Sequence, residues 1–152
     1  MNIELFKTSV KRNHTILFII YSVITLTIYL WFWVFSREKI INQLTESKIN
    51  ESLPVLFVIT AILSSVLEVY GGTQLNGGSA IGLAKLFQLI STVLMIVIAF
   101  QMKKVLKEFS DNNEMKISYN GFFTFLFNFW YINYKLNENL DYINQNSVVS
   151  NE

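Results

Sequence analysis

The sequence has no cysteine, one proline (Pro54) and one histidine (His14) among its 152 residues. The lack of cysteine excludes disulfides, thiolate metal sites and cysteine nucleophiles, and one histidine cannot form a metal cluster alone. Charged residues are scarce at 15%, against about 25% in soluble domains. Because a soluble surface needs charges and a lipid-facing surface excludes them, this shortage favours a membrane protein.

Signals for catalysis and for nucleic-acid binding are also missing. The net charge is only +1, so no nucleic-acid-binding surface is expected. Gly71-Gly72 and Gly77-Gly78 resemble a phosphate cradle only weakly, because no Gly-Lys-Ser/Thr follows them. The sequence has no set of membrane-facing carboxylates or Ser-His-Asp residues suited to catalysis. We therefore expect no enzymatic activity, no cofactor and no metal.

Long apolar runs are present instead, and two of them end in aromatic residues followed at once by charge. Residues 15–36 are uncharged and meet Arg37, and residues 117–134 are uncharged and meet Lys135. A run of 22 residues is ~33 Å long as a helix, which matches a hydrocarbon core of about 30 Å. Trp and Tyr collect at the headgroup border. The expected membrane-interface anchors are Tyr29, Trp31, Trp33, Trp130, Tyr131 and Tyr134.

The predicted fold is an all-α integral membrane protein with four apolar helical segments. A central antiparallel hairpin of the second and third segments is flanked by the aromatic-rich first and fourth. Leu136, Leu140 and Ile143 follow at helical spacing and predict an amphipathic tail on the membrane surface. The expected organisation is a basic N-terminal tail (1–14), one membrane domain (15–143) and a frayed polar tail (144–152). The segments are 15–36, 53–70, 81–102 and 117–134, and a glycine-rich turn covers 71–82.

Glu68 and Lys85 are the charges within reach of the second and third apolar segments. An antiparallel hairpin brings both to the same end, where they can form an ion pair that fixes the register of the two helices. Ionisable groups at membrane depth often have a function. Because both residues lie near helix ends, we favour the structural role.

Small residues at a spacing of four predict close packing of the second segment against the third. Ala61 and Ser65 have this spacing in the second segment, and Gly78 and Gly82 have it at the start of the third. For the two glycines, a turn and helix start is an equally good interpretation. For Ala61 and Ser65, helix packing is the main interpretation.

The charge distribution leaves two threadings of the chain open. If all four segments span, five basic residues lie on one side and seven on the other, which hardly distinguishes the sides. If the first and fourth segments re-enter on the side where they began, eleven basic residues share one side and only Lys85 lies opposite. That arrangement needs a break in residues 15–36, where no Gly or Pro supplies one. Full spanning is therefore the favoured prediction.

The two aromatic runs have a weak internal sequence similarity. Aligning Trp31 with Trp130 places Thr25 on Thr124. This similarity indicates either a duplication or two segments that each need an aromatic belt, and we favour the second interpretation.

The motifs resemble one known family, the small prokaryotic membrane proteins called domain of unknown function 4234. Residues 25–33 (Thr-Leu-Thr-Ile-Tyr-Leu-Trp-Phe-Trp) are similar to its front motif, which reads roughly Thr-Leu-Gly-Ile-Tyr and then aromatics with Trp. This chain differs at Thr27, where the family often has glycine. Residues 127–138, with Lys135 at a Lys-x-Asn-like boundary, resemble the closing motif. The resemblance covers about residues 10–140 and implies a multi-pass membrane protein without an assigned activity or site.

These observations predict a small multi-pass protein of the cell membrane, non-enzymatic, that acts through helix packing. Its expected partners are the lipid bilayer and either a second copy or another membrane protein. The alternative is a small transporter or channel subunit with a polar path near Gln88 and Asn128, since a bare amide in lipid needs a partner.

Overall fold

The computed structural model describes residues 3–25, 28–74 and 77–149. Within these ranges the chain forms six helices and no strand, which confirms the predicted all-helical class. Thr27, where the chain differs from the family motif, lies outside the described residues. The helices are α1 (Ile3–Ser9), α2 (Thr15–Ile24), α3 (Ile28–Ile41), α4 (Ser52–Thr73), α5 (Gly78–Asn112) and α6 (Gly121–Val149).

The chain divides into two compact units. The first unit combines residues 1–49 with residues 99–152, and the second unit is residues 50–98. α5 contributes its first part to the second unit and its last part to the first. The single membrane domain expected for 15–143 therefore consists of parts of two units.

The first aromatic run is not one continuous helix. α2 ends at Ile24 and α3 begins at Ile28, and the chain reverses between them. Phe18 of α2 lies 4.9 Å from Trp33 of α3 between ring centroids, and Arg37 Nη2 donates to the Lys11 carbonyl at 2.8 Å. In a continuous helix Lys11 and Arg37 would be ~39 Å apart. The prediction of one unbroken helix over 15–36 is wrong, and we call α2 with α3 the first fold-back.

Thr25 supplies the break that neither glycine nor proline provides. Its hydroxyl donates to the Tyr21 carbonyl at 2.7 Å and accepts from the Tyr29 backbone N–H at 3.1 Å. The Tyr21 carbonyl also accepts from the Thr25 backbone N–H at 3.0 Å, so the hydroxyl adds a second bond at the end of α2 and provides an acceptor for a donor at the start of α3. Side chains that bond local backbone offer it an alternative to the helical ladder, which explains how the reversal occurs without glycine.

The second aromatic run also reverses, at Asn128 inside α6. Tyr119 Oη accepts a hydrogen bond from Asn139 Nδ2 at 2.6 Å, although 20 residues of helix would separate the two by ~30 Å. Tyr131 Oη accepts from the Asn120 backbone N–H at 2.8 Å. We call residues 119–127 and 129–149 the two arms of the second fold-back. The segment predicted for 117–134 is thus interrupted, and its helix begins later, at Gly121.

Asn128 itself has φ 42° and ψ −121°. This conformation favours glycine, and it costs a residue with a Cβ of order 1–3 kcal/mol. The side-chain Oδ1 is buried and has no hydrogen-bond partner among the described residues. The reversal is therefore strained locally and must be held by contacts elsewhere in the arms.

Residues of α1 and of the last part of α6 pack into the core of the first unit. Phe6 of α1 is fully buried and stacks on Phe109 at 4.8 Å, so residues 1–14 contain a docked helix rather than only a basic tail. Leu136, Leu140 and Ile143 are also buried. The interpretation of these three as a membrane-surface face is wrong, because their apolar stripe is covered by the protein itself.

In the second unit, α4 begins near the predicted start of the second segment, with Pro54 in its first turn. There a missing backbone donor costs little. α4 extends three residues beyond the predicted end, so Gly71 is helical and its position would bring a Cβ within 2.7 Å of Ile81. Two hydrogen bonds join α4 and α5. Ser64 Oγ donates to the Ala84 carbonyl at 2.9 Å, and Ser91 Oγ donates to the Phe57 carbonyl at 3.5 Å.

Candidate functional site

A cluster of amides holds the two fold-backs together at their open ends. Asn133 Nδ2 and Asn137 Nδ2 both donate to the Asn13 carbonyl, at 3.0 and 2.6 Å. The Asn13 backbone N–H donates in turn to Asn137 Oδ1 at 3.3 Å. Because the backbone of this one connector residue accepts two bonds and donates a third, it is fixed against the second arm of α6.

Charged groups surround this amide cluster. Arg12 forms an ion pair with Asp141 at 2.9 Å, and Arg37 caps the Lys11 carbonyl. We call the set of connector and arm residues at this end the polar base of the first unit. It consists of Lys11, Arg12, Asn13, Arg37, Asn133, Asn137 and Asp141.

Lys135 lies in an aromatic cage beside the polar base. Its ammonium is 5.6, 5.5 and 5.3 Å from the ring centroids of Tyr119, Tyr131 and Tyr134. It also pairs with Glu138 at 2.5 Å, and its side chain is only 8% exposed. A cation over an aromatic face is attracted by the ring quadrupole, by about 2 kcal/mol when desolvated. Since Tyr119 precedes the reversal and the other residues follow it, the cage ties the two arms together.

Tyr119 is the polar connection between the arms. Its hydroxyl accepts from Asn139, whose Nδ2 also donates to the Lys135 carbonyl at 2.7 Å. Desolvation raises the pKa of the Tyr119 phenol above its ordinary value, and the nearby Glu138 charge acts in the same direction. The phenol therefore stays protonated at neutral pH. Asn139 Oδ1 is buried and without a partner among the described residues, so this network is not fully satisfied.

The closed ends of the two fold-backs are apolar and exposed. Ile24 and Ile28 flank the first reversal and are 71% and 48% exposed. Phe125 and Phe127 precede the second and are 54% and 45% exposed. The contacts between the two fold-backs extend from the amide cluster to the ring pair of Trp33 and Phe129, whose centroids are 5.9 Å apart. Both reversals therefore lie at the end of the first unit opposite the polar base. The first unit thus has one polar end and one apolar end.

In the second unit, the two charges singled out from the sequence lie together. Lys85 Nζ is 2.9 Å from Glu68 Oε1, and both side chains are more than half exposed. Lys85 also donates to Gln88 Oε1 at 3.4 Å. An exposed pair of this kind contributes ~0–1 kcal/mol in water.

Of the four residues predicted for helix packing, Ser65, Gly78 and Gly82 are exposed and Ala61 is half-buried. A Cβ at Gly78 or Gly82 would meet nothing within 4 Å. Ser65 is exposed and bonds the Ala61 carbonyl of its own helix at 3.1 Å. The close approach between α4 and α5 uses Ser64, Ala84 and Gly71 instead. Packing of the four predicted residues against a second molecule stays a prediction.

The predicted interface anchors divide into three groups by exposure. Trp33 is only 4% exposed, and its ring packs against Phe18 and Phe129, so its interpretation as an outward-facing anchor is wrong. Tyr134 is 50% exposed. The other four are half-buried, and they are Tyr29, Trp31, Trp130 and Tyr131.

The two amides proposed to line a polar path fall in different units. Gln88 belongs to the second unit, where it accepts from Lys85. Asn128 belongs to the first unit, where it forms the reversal of α6. Each amide therefore has a local structural role that accounts for it without a solute path.

Sequence reasoning missed Lys135 and Arg37 as site residues. Both looked like charges that end an apolar run, yet both are buried, with 6% of each residue exposed. For Lys135 a signal exists, since Tyr131 and Tyr134 precede it by four residues and one, and spacing of four puts residues on one helical face. For Arg37 no local signal exists, because its partner is 26 residues away.

Comparison with known protein families finds a match over most of the chain. The profile of the family described as Domain of unknown function (DUF4234) matches residues 13–108. This range includes the first fold-back, α4 and most of α5. Comparison with curated proteins and with solved structures finds no match.

Proposed function

Since the chain belongs to the DUF4234 family, as its motifs predicted, we propose that it is a non-enzymatic integral protein of the cell membrane. In this proposal α4 and α5 cross the bilayer as an antiparallel hairpin. The two fold-backs enter the bilayer from one side without crossing it. The protein acts by packing its membrane helices against a second copy or another membrane protein.

The observation that carries the proposal is the uncovered apolar surface of α4 and α5. Among the described residues these are the two helices long and apolar enough to cross a membrane. Only 17% and 22% of their apolar windows are buried within the chain. The core helix of a soluble protein would be mostly buried, and an apolar surface of this size exposed to water is unfavourable. Lipid is the environment that covers it.

The contacts between α4 and α5 support an antiparallel hairpin. Ser91 meets Phe57, Ala84 meets Ser64, and Lys85 meets Glu68. Positions later in α4 thus meet positions earlier in α5. Hydroxyl bonds between helices contribute about 0.6 kcal/mol each in membranes.

Helix length and charge support the re-entrant arrangement of the fold-backs. α2 has 10 residues, or ~15 Å, about half of a hydrocarbon core. Of the 12 Lys and Arg residues, only Lys85 lies in residues 50–98. A chain in which only α4 and α5 cross places the other eleven on one side, as the positive-inside rule favours.

Labelling of single cysteines tests this threading, because the natural chain has none. Cysteine at Asn13, Asn42 or Asn113 should react with an impermeant maleimide from the same face of sealed vesicles. Cysteine at Thr73 should react from the opposite face. If Asn13 and Asn42 react from opposite faces, the first aromatic run crosses the bilayer and the threading is wrong. If the protein is extracted from membranes by alkaline carbonate, the membrane assignment itself fails.

The role in packing is supported by the small residues left open on α4 and α5. Ala61, Ser65, Gly78 and Gly82 offer surfaces where the backbone of another helix can approach closely. Several charged groups of the first unit, in contrast, are paired within the chain, as Lys135 with Glu138 and Arg12 with Asp141. We therefore place the interaction surface on the membrane helices.

Disulfide trapping in vesicles tests self-packing. Ser65→Cys should give a dimer under mild oxidation, whereas Val66→Cys, which is exposed on a different side of the same helix, should give little. Equal dimer yields from the two variants would indicate random collision and would contradict a defined packing face. Trapping of Ser65→Cys to a different membrane protein, and not to itself, would assign the face to that partner.

A further inference from the structure

Among the residues that the structure describes, Arg37 is a buried cation without an anionic partner. It is 6% exposed, and within the described residues its guanidinium has a single acceptor, the Lys11 carbonyl. A guanidinium carries five N–H donors. Burying a charge is costly unless it is paired, and desolvation accordingly lowers the pKa of Arg37, although an arginine stays charged at neutral pH. The fold therefore retains a positive charge that it does not neutralise.

This guanidinium borders a cavity of about 450 Å³ between the α1–α2 connector and α3. The polar part of the lining comes from Lys11, Ser9, Ser36 and Asn13, and no carboxylate lines it. The apolar part comes from Tyr29, Phe32, Trp33 and Ile40. The Trp33 indole N–H is buried and has no acceptor among the described residues. One wall thus offers positive charge and donors, and the other offers aromatic and aliphatic surface.

A neighbouring cavity of about 320 Å³ differs from the cavity beside Arg37 because acidic residues line it. It is lined by Arg12, but also by Glu138 and Asp141, and Arg12 is already paired with Asp141. Its cation is therefore satisfied within the chain. The cavity beside Arg37 differs in having two basic residues and no internal anion.

We propose that the cavity beside Arg37 binds the phosphate of an anionic phospholipid, with an acyl chain lying against Phe32 and Tyr29. The guanidinium fork matches phosphate oxygens in a bidentate manner, and Lys11 adds a second positive charge. Basic pockets at the membrane surface are suited to anionic headgroups. Phe32 is 72% exposed, so the apolar wall continues onto the surface that faces lipid in the proposed arrangement.

The depth of the cavity fits a headgroup. It lies at the polar base, one α2 length (10 residues, ~15 Å) from the apolar reversal near Ile24. When that reversal reaches the middle of a core of about 30 Å, the polar base lies at the headgroup layer. This step rests on the proposed membrane insertion, because only an inserted fold-back presents the cavity at that level.

Native mass spectrometry of the full-length protein released from detergent tests the site. We expect retention of one phosphatidylglycerol in preference to phosphatidylcholine, by about fivefold for each basic residue. Arg37→Gln and Lys11→Gln should lower that preference. Lys39→Gln should retain it, because Lys39 is an exposed residue of the same helix that does not line the cavity.

Arg37→Gln also removes the hydrogen bond to the Lys11 carbonyl and could unfold the protein. A second variant therefore tests the site without changing Arg37. Ser36→Asp leaves Arg37 in place and brings a carboxylate to an exposed position on the cavity wall. It should abolish the preference for phosphatidylglycerol while the protein still unfolds at the wild-type temperature. Retained preference in Ser36→Asp, or equal losses in Arg37→Gln and Lys39→Gln, would overturn the proposal.

Two further outcomes separate the source of the phosphate from the membrane assignment. Displacement of phosphatidylglycerol by millimolar inorganic phosphate would assign the site to a soluble phosphate and overturn the lipid. A protein that stays in membranes after carbonate treatment but shows no lipid preference would overturn this site and leave the proposed function intact. Extraction by carbonate would instead overturn the proposed function.

Discussion

The two aromatic runs reverse direction in different ways. The first turns around Thr25, whose hydroxyl serves the backbone on both sides of the reversal, and aromatic packing of Phe18 on Trp33 closes its arms. The second turns at Asn128, which has a strained backbone and an unpaired amide oxygen. Its arms are closed by the cage of Lys135 and the Tyr119–Asn139 hydrogen bond.

The difference shows where each reversal obtains its stability. The first has a locally favourable turn and needs little beyond apolar packing. The second has an unfavourable turn, so distant polar contacts must offset its strain. Variants of the Lys135 cage and of the Tyr119–Asn139 hydrogen bond should therefore have the largest effects. Variants at the two turns should have smaller effects, and the two turns should differ in sign.

Replacing Lys135 should have the largest effect. Lys135→Met keeps much of the volume but removes the cation from three tyrosine rings and from Glu138. We expect the free energy of unfolding in mixed micelles to fall by about 2–3 kcal/mol. Lys116→Met, at an exposed lysine near the start of the same region, should change it by less than about 0.5 kcal/mol. Equal effects of the two variants would show that the cage does not close the second fold-back.

Removing the Tyr119 hydroxyl should have the next largest effect. Tyr119→Phe deprives Asn139, which is fully buried, of one hydrogen-bond partner. We expect a loss of about 1–2 kcal/mol in the same unfolding measurement. Tyr142→Phe is the matched control, because its hydroxyl makes an exposed contact of 3.5 Å to the Glu114 carbonyl. A neutral Tyr119→Phe would remove this bond from the explanation of the reversal.

Glycine at Asn128 should stabilise the protein. Asn128→Gly relieves the strain of φ 42° and removes a buried oxygen without a partner. We expect a gain of about 1 kcal/mol in the free energy of unfolding. Gln145→Gly, at an ordinary helical position of the same helix, should instead lose up to about 1 kcal/mol. A loss from both variants would indicate that the asparagine side chain is needed at the reversal.

The Thr25 hydroxyl should have the smallest effect of the four. Thr25→Val keeps the shape and removes both hydrogen bonds at the first reversal. We expect a loss of about 0.5–1 kcal/mol, as for other helix caps. Thr92→Val removes a hydroxyl that bonds only the Gln88 carbonyl of its own helix, and it should be close to neutral. A loss larger than that of Lys135→Met would reverse the comparison of the two fold-backs.

Sequence reasoning identified α4 and α5 well because their signals are local. Uncharged length marks the apolar part of each helix, and Pro54 marks the first turn of α4. The juxtaposition of Glu68 with Lys85 follows from pairing two such helices antiparallel. These features need no information about distant parts of the chain.

The reversals were missed because their determinants are either ambiguous or distant. A threonine within an apolar run is common, and its hydroxyl usually bonds its own helix, as that of Thr92 does. Nothing near Asn128 specifies a reversal there, since the contact between Tyr119 and Asn139 joins residues 20 positions apart. The charge distribution favours re-entry, but residues 15–36 contain no glycine or proline that would predict the break.

The distance between two spin labels tests most directly the claim that the aromatic runs fold back. Cysteines at Lys11 and Ser36, which line the same cavity, would carry the labels in the otherwise cysteine-free chain. For protein in lipid nanodiscs, double electron–electron resonance should give a separation below about 20 Å, allowing for the label arms. A single helix through this region would place the two positions ~38 Å apart, and a distance near that value would contradict the account.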